Sequence, residues 1–119
     1  MKALLLSIAA TIVWLPAAAL AHTHLVRSTP AENAVLEKSP ATATLVFAEA
    51  VTITAVRIES ASGVKTRVQS LPASPTAEPS MPLPPLVPGH YTLSWRALSD
   101  DGHVMAGAIH FTIGEKSGH

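Results

Sequence analysis

The chain has 119 residues, no cysteine, and eight Lys and Arg residues against eight Asp and Glu, so its formal net charge is zero with histidines neutral. That length holds one domain. Balanced charge argues against general nucleic-acid binding, which needs a basic patch to displace counterions, and the lack of thiols excludes zinc–thiolate sites, iron–sulfur clusters, blue-copper sites and thiol redox chemistry.

Residues 1–21 read as a cleaved secretory signal peptide. Lys2 supplies a short positive segment, Ala3 to Leu15 is apolar apart from Ser7 and Thr11, and Pro16 closes the run. Ala19 and Ala21 then offer small residues to a signal peptidase, and the apolar run is short for a bilayer span. Cleavage after Ala21 would expose His22 as the N-terminus of a soluble domain over residues 22–119, with no second hydrophobic span. An exported domain without disulfides must rely on packing, helped by a metal where one binds. Six histidines, His22, His24, His90, His103, His110 and His119, all follow the cleavage point.

From His22 onward the hydrophobic pattern has a period of two. His24 to Arg27 can open the domain as a short strand. Ala31 to Lys38 can make a turn, and the bracketing Pro30 and Pro40 leave no room for a long helix. Leu45 and Phe47 alternate with Thr44 and Val46, Val51 to Glu59 is rich in β-branched residues, and Val64 to Val68 follows the turn-like Ser62-Gly63. Pro72 to Pro88 carries seven prolines and is expected to be an extended surface connection, because proline cannot donate to a sheet ladder. Pro88-Gly89 then launches a strand in which Tyr91, Leu93, Trp95 and Ala97 share one face, and a last strand points Ile109, Phe111 and Ile113 inward. Short strands joined by turns predict a single all-β domain, an antiparallel sandwich or barrel.

Two clusters carry chemistry. The first is His22-Thr23-His24: once Ala21 is removed, the α-amine and Nδ1 of His22 can close a chelate ring on one metal. Nitrogen ligands in a tetragonal arrangement suit Cu(II), which also heads the divalent affinity order. The second is Asp101-Gly102-His103, where residues two apart project to the same side and the intervening glycine lets the backbone bend. Together they offer an N,N,N,O ligand set. A rival arrangement uses the amine, two backbone amides and His24 alone, leaving Asp101 and His103 idle. The plain alternatives are a frayed terminus for His22 and an ordinary surface turn for Asp101 and His103. His90 reads as a polar strand start, His110 as outward-facing, His119 as tail, Trp95 as core, Met105 as packing and Asp100 as solvated.

The sequence resembles the CopC family of periplasmic copper-resistance proteins. The likeness runs from Ala21-His22-Thr23-His24-Leu25 through Ser28-Thr29-Pro30-Ala31-Glu32-Asn33-Ala34, resumes at Leu45-Val46-Phe47-Ala48-Glu49-Ala50-Val51, and covers Leu86 to Arg96. It ends on Ser99-Asp100-Asp101-Gly102-His103-Val104-Met105-Ala106-Gly107 and Phe111-Thr112-Ile113. The resemblance implies a Greek-key β-sandwich of about seven strands, akin to immunoglobulin and cupredoxin folds. It also implies a Cu(II) site made of His22, Asp101 and His103, with His24 near or on the metal and Glu49 orienting a ligand. Some members carry a methionine-rich stretch that binds Cu(I). Here Pro72 to Pro88 holds only Met81 and no histidine, so Cu(II) alone is expected, since Cu(I) prefers soft thioethers.

The expected function is therefore a monomeric periplasmic copper carrier or buffer, not an enzyme, handing its ion to or from an inner-membrane copper transport protein. Two other readings are a copper monooxygenase built on the N-terminal histidine and a metal-free interaction domain. A carboxylate ligand, which favours Cu(II) over the Cu(I) needed for oxygen activation, weighs against the first.

Overall fold

A computed structural model describes residues 25–114, and every described element is a strand. There are eight: β1 (Leu25–Thr29), β2 (Ala34–Leu36), β3 (Thr42–Phe47), β4 (Val51–Ser60), β5 (Lys65–Arg67), β6 (Ser80–Pro82), β7 (Gly89–Ser99) and β8 (Val104–Ile113). They form a three-stranded sheet, β1-β3-β6, and a five-stranded sheet, β2-β8-β7-β4-β5. The all-β sandwich expected from the period-two pattern is what the chain adopts.

The alternation decides which side chains meet between the layers. On β7, Tyr91, Leu93, Trp95 and Ala97 are buried while His90, Arg96 and Leu98 are exposed; on β8, Ile109, Phe111 and Ile113 are buried. Opposite them lie Ala43, Leu45 and Phe47 of β3 and Met81 of β6. Two ring contacts organise this interior: Phe47 meets Trp95 edge-on at 5.2 Å, and Tyr91 stacks on Phe111 at 5.6 Å. Full burial of each such large apolar side chain stabilises the fold by about 1.5–3 kcal/mol, which a domain without disulfides requires. Trp95 also sits directly over Gly107, where a Cβ would come within 2.6 Å of the indole.

The structure departs from the sequence expectation in two places. The proline-rich segment is not all connection: Ser80–Pro82 adds β6 to the edge of the smaller sheet, pairing with Thr42–Thr44. An edge strand tolerates Pro79 and Pro82 because one side of its backbone needs no ladder partner, and Met81 between them is fully buried. Residues 34–36 form a strand as well, and β2 runs parallel to β8, the one parallel pair among the described strands, which otherwise pair antiparallel.

Candidate metal centre

β7 and β8 pair without a register break from Gly89↔Ile113 to Leu98↔Val104. The chain therefore reverses over residues 99–103. The turn closes with Gly102 N–H donating to Ser99 O at 3.0 Å and Ser99 N–H donating to His103 O at 2.9 Å. Gly102 has φ +90°, a left-handed conformation that a side chain would strain, so the glycine between Asp101 and His103 is required by the turn itself.

Ser99 holds the turn from beneath. It occupies the last inward position of β7 and is the buried polar residue of the described core. Its hydroxyl donates to Asp101 Oδ1 and accepts from the backbone N–H of His103 at 3.1 Å. Asp101 Oδ2 lies 2.9 Å from His103 Nδ1, and both side chains are more than half exposed. The Ser99 hydroxyl, followed by the His103 ring and backbone, lowers the Asp101 carboxyl to about 2. Asp101 is thus a carboxylate throughout the physiological range and only accepts hydrogen bonds. His103 Nδ1 must carry the proton of that bond, so the carboxylate and the ring can share one ion once this bond opens.

Register defines what else lies at this end of the sandwich. Leu25, the first residue of β1, pairs with Phe47, the last of β3; four residues on, Val51 opens β4 opposite Ser99. The start of β1, the β3–β4 connection containing exposed Glu49, and the Asp101–His103 turn therefore share one end. Both bulges of the described sheets also fall toward it, between Leu25 and Arg27 and between Ile53 and Ala55, and bulges commonly re-aim side chains beside sites.

His22 and His24 lie outside the described residues, as do the signal-peptide segment and His119. Among the described residues no three imidazole, thiol or carboxylate groups gather around one point, so the Asp101–His103 pair supplies two potential ligands. His90 and His110 lie elsewhere; His110 faces outward, as expected, and so does His90, with His90 Nδ1 2.8 Å from Thr112 Oγ1 and His110 Nδ1 3.0 Å from Glu32 Oε2. Sequence reasoning missed Ser99 and Glu32. Ser99 had a signal, a polar residue at the next inward position after Ala97; Glu32, 78 positions from His110, had none.

Comparison with known proteins bears on what this turn is for. Residues 25–114 match the family model described as CopC domain. In fold the chain resembles the crystal structure of CopC from Methylosinus trichosporium OB3b, at 24% identity and a TM-score of 0.69, over 82% of this chain and 99% of that one. It is also similar to two Escherichia coli structures of PcoC. One is the selenomethionine form of a copper resistance protein (25% identity, TM-score 0.58, 76% and 98% of the two chains). The other is described as a methionine-rich copper resistance protein (27%, 0.60, 78% and 99%). No curated relative matches.

Proposed function

The chain belongs to the CopC domain family, and from that premise we propose that it is an exported Cu(II)-binding protein of copper resistance and homeostasis. The proposed site comprises the α-amine and ring of His22, the imidazole of His103 and the carboxylate of Asp101, with His24 beside them and Glu49 orienting a ligand. The observation that carries this reading is the Asp101–His103 pair at the end of the sandwich where β1 begins. His22 is three residues from Leu25, a reach of roughly 10 Å for extended chain, about the separation of two packed sheets. An N-terminal amine can therefore meet the turn once residues 1–21 are removed.

The ligand chemistry supports Cu(II) over Cu(I). Amine, imidazole and carboxylate are borderline-to-hard donors that favour the divalent ion. Met81, the single thioether of the proline-rich segment, is fully buried in the core. Binding and delivery of copper in the periplasm, by a monomer that exchanges its ion with an inner-membrane copper transporter, follow from this reading. No described helix is long and apolar enough to cross a membrane. Cu(II) titration with EPR on the processed chain and on His22→Ala, Asp101→Ala and His103→Ala tests it. Each substitution should weaken the tight site and change its spectrum. An unchanged spectrum in both His103→Ala and Asp101→Ala would place copper on the N-terminal segment alone.

A further inference from the structure

The outer face of the five-stranded sheet carries a second histidine cluster, far from the Asp101–His103 turn. In the cross-strand register Glu59 of β4, Thr92 of β7 and His110 of β8 form one row, and His90 precedes Thr92 by two residues on the same face. They line a surface cleft of about 540 Å³. Thr92, a small side chain, lies between the three larger ones, with His110 and Glu59 each one strand away and His90 one pleat away. Cross-strand neighbours are about 5 Å apart and diagonal ones about 7–8 Å, within the combined reach of long side chains. Nine residues separate His90 from Ser99 along β7, which puts this cluster roughly 30 Å from the turn.

Both imidazoles have one nitrogen committed. Glu32 accepts from the backbone N–H of His110 at 2.7 Å and meets its Nδ1 at 3.0 Å. Those bonds, the backbone one first, hold the Glu32 carboxyl below its ordinary value, so it is an acceptor and His110 Nδ1 is the donor. In the neutral ring the lone pair is then on Nε2, facing away from Glu32. Thr112 Oγ1 engages His90 Nδ1 at 2.8 Å, a hydroxyl that can serve either tautomer, and Nε2 is the second nitrogen. A carboxylate behind an imidazole fixes its tautomer and raises its basicity as a metal ligand. Glu59 pairs in register with Lys65, yet makes no ion pair among the described residues, where the two pairs are His103–Asp101 and His110–Glu32.

We propose that His90 and His110, joined by the carboxylate of Glu59, form a second divalent-metal site on this sheet face, taking Cu(II) ahead of Zn(II). Two imidazoles and a carboxylate are the donors that borderline cations select, and Cu(II) stands above Zn(II) in the affinity order. The three groups are not already gathered around one point, so rotation of the half-buried Glu59 and the exposed His90 side chains closes the site. Its affinity is accordingly weaker than that of a chelating N-terminus. The site gives the chain a capacity of two ions, and it is independent of whether the N-terminus has been processed.

Cu(II) titration of the purified chain, followed by calorimetry and EPR, tests this. The wild type should take two equivalents, the weaker of which disappears in both His90→Ala and His110→Ala while the tighter one remains. Glu32→Gln should weaken that equivalent about 10-fold or more without changing the donor set. His103→Ala, or an extension ahead of His22, should leave it intact, so failure of the Asp101–His103 site and failure of this one are separable. Paramagnetic broadening of the His90 and His110 ring protons in the unmutated chain gives a readout that needs no substitution. No equivalent lost in His90→Ala and His110→Ala, a weaker equivalent that survives either substitution, or sharp His90 and His110 signals at two equivalents would overturn the proposal.

Discussion

Replacing Gly107 with alanine should destabilise the protein through one contact. The new Cβ would lie 2.6, 2.8 and 2.9 Å from Cζ2, Cε2 and Nε1 of Trp95, where carbon atoms attract best at about 3.5–4.0 Å. The indole would have to retreat by nearly an ångström, and Phe47, edge-on to it at 5.2 Å, stands in the same packed interior. Overpacking of this kind costs about 1–3 kcal/mol. Restricting the unfolded chain by removing a glycine offsets about 0.4–1 kcal/mol of that. A net loss of about 1–2 kcal/mol lowers Tm by roughly 5–15 °C in a domain of this size. Thermal unfolding followed by circular dichroism measures it, with indole fluorescence reporting the shift of Trp95. Gly114→Ala is the control, since its Cβ would meet only Leu36 O at an ordinary 3.7 Å. A Gly107→Ala melting temperature within a degree or two of wild type would refute the packing argument.

A single residue left ahead of His22 should weaken Cu(II) strongly, because the α-amine then belongs to another residue; competition titration with a Cu(II) chelator measures this, and equal affinities would eliminate the chelate. Copper that ties the N-terminus to the Asp101–His103 turn should also raise Tm, with a gain of about 2.7 kcal/mol at free metal 100 times Kd; calorimetric melts with and without Cu(II) check it. Apparent Cu(II) affinity should fall as pH drops through neutrality, since protons compete for the amine, at about 7.7–8.0, and for imidazole near 6.5; an affinity flat from pH 8 to 5 would exclude these donors. The backbone N–H and ring of His110 hold the Glu32 carboxyl below its ordinary value, so the stability it contributes is complete above that ordinary value and fades as pH falls through its lower folded value. Glu32→Gln should therefore melt below wild type at pH 7 and converge with it in acid; a pH-independent gap would mean that the bonds of the ionised Glu32 carboxylate to His110 are not what was removed.

Much of this molecule is local information. Alternation along Tyr91–Ala97 and Ile109–Ile113 determined which side chains face the interior, because successive strand residues point to opposite faces whatever the partner strand is. The spacing of Asp101, Gly102 and His103 determined that a carboxylate and an imidazole could meet across one turn, since two residues flanking a left-handed glycine are neighbours by covalent geometry alone. The burial of Trp95 and the outward placement of His110 came from the same periodicity.

Partners distant in the chain were decided only by the tertiary structure. Alternation names a face and not a neighbour, so it could not show that β2 lies parallel to β8 or that Ser80–Pro82 becomes an edge strand with Met81 in the core. Nor could it show that Glu32 reaches His110 across 78 residues, or that Gly107 is the floor on which Trp95 rests. The turn that presents Asp101 and His103 is written in five consecutive residues; its position at the end of the sandwich where β1 begins depends on the registers of β1 with β3 and of β4 with β7. Those registers are set by the joint packing of two sheets, a property of the whole interior that no short stretch of chain contains.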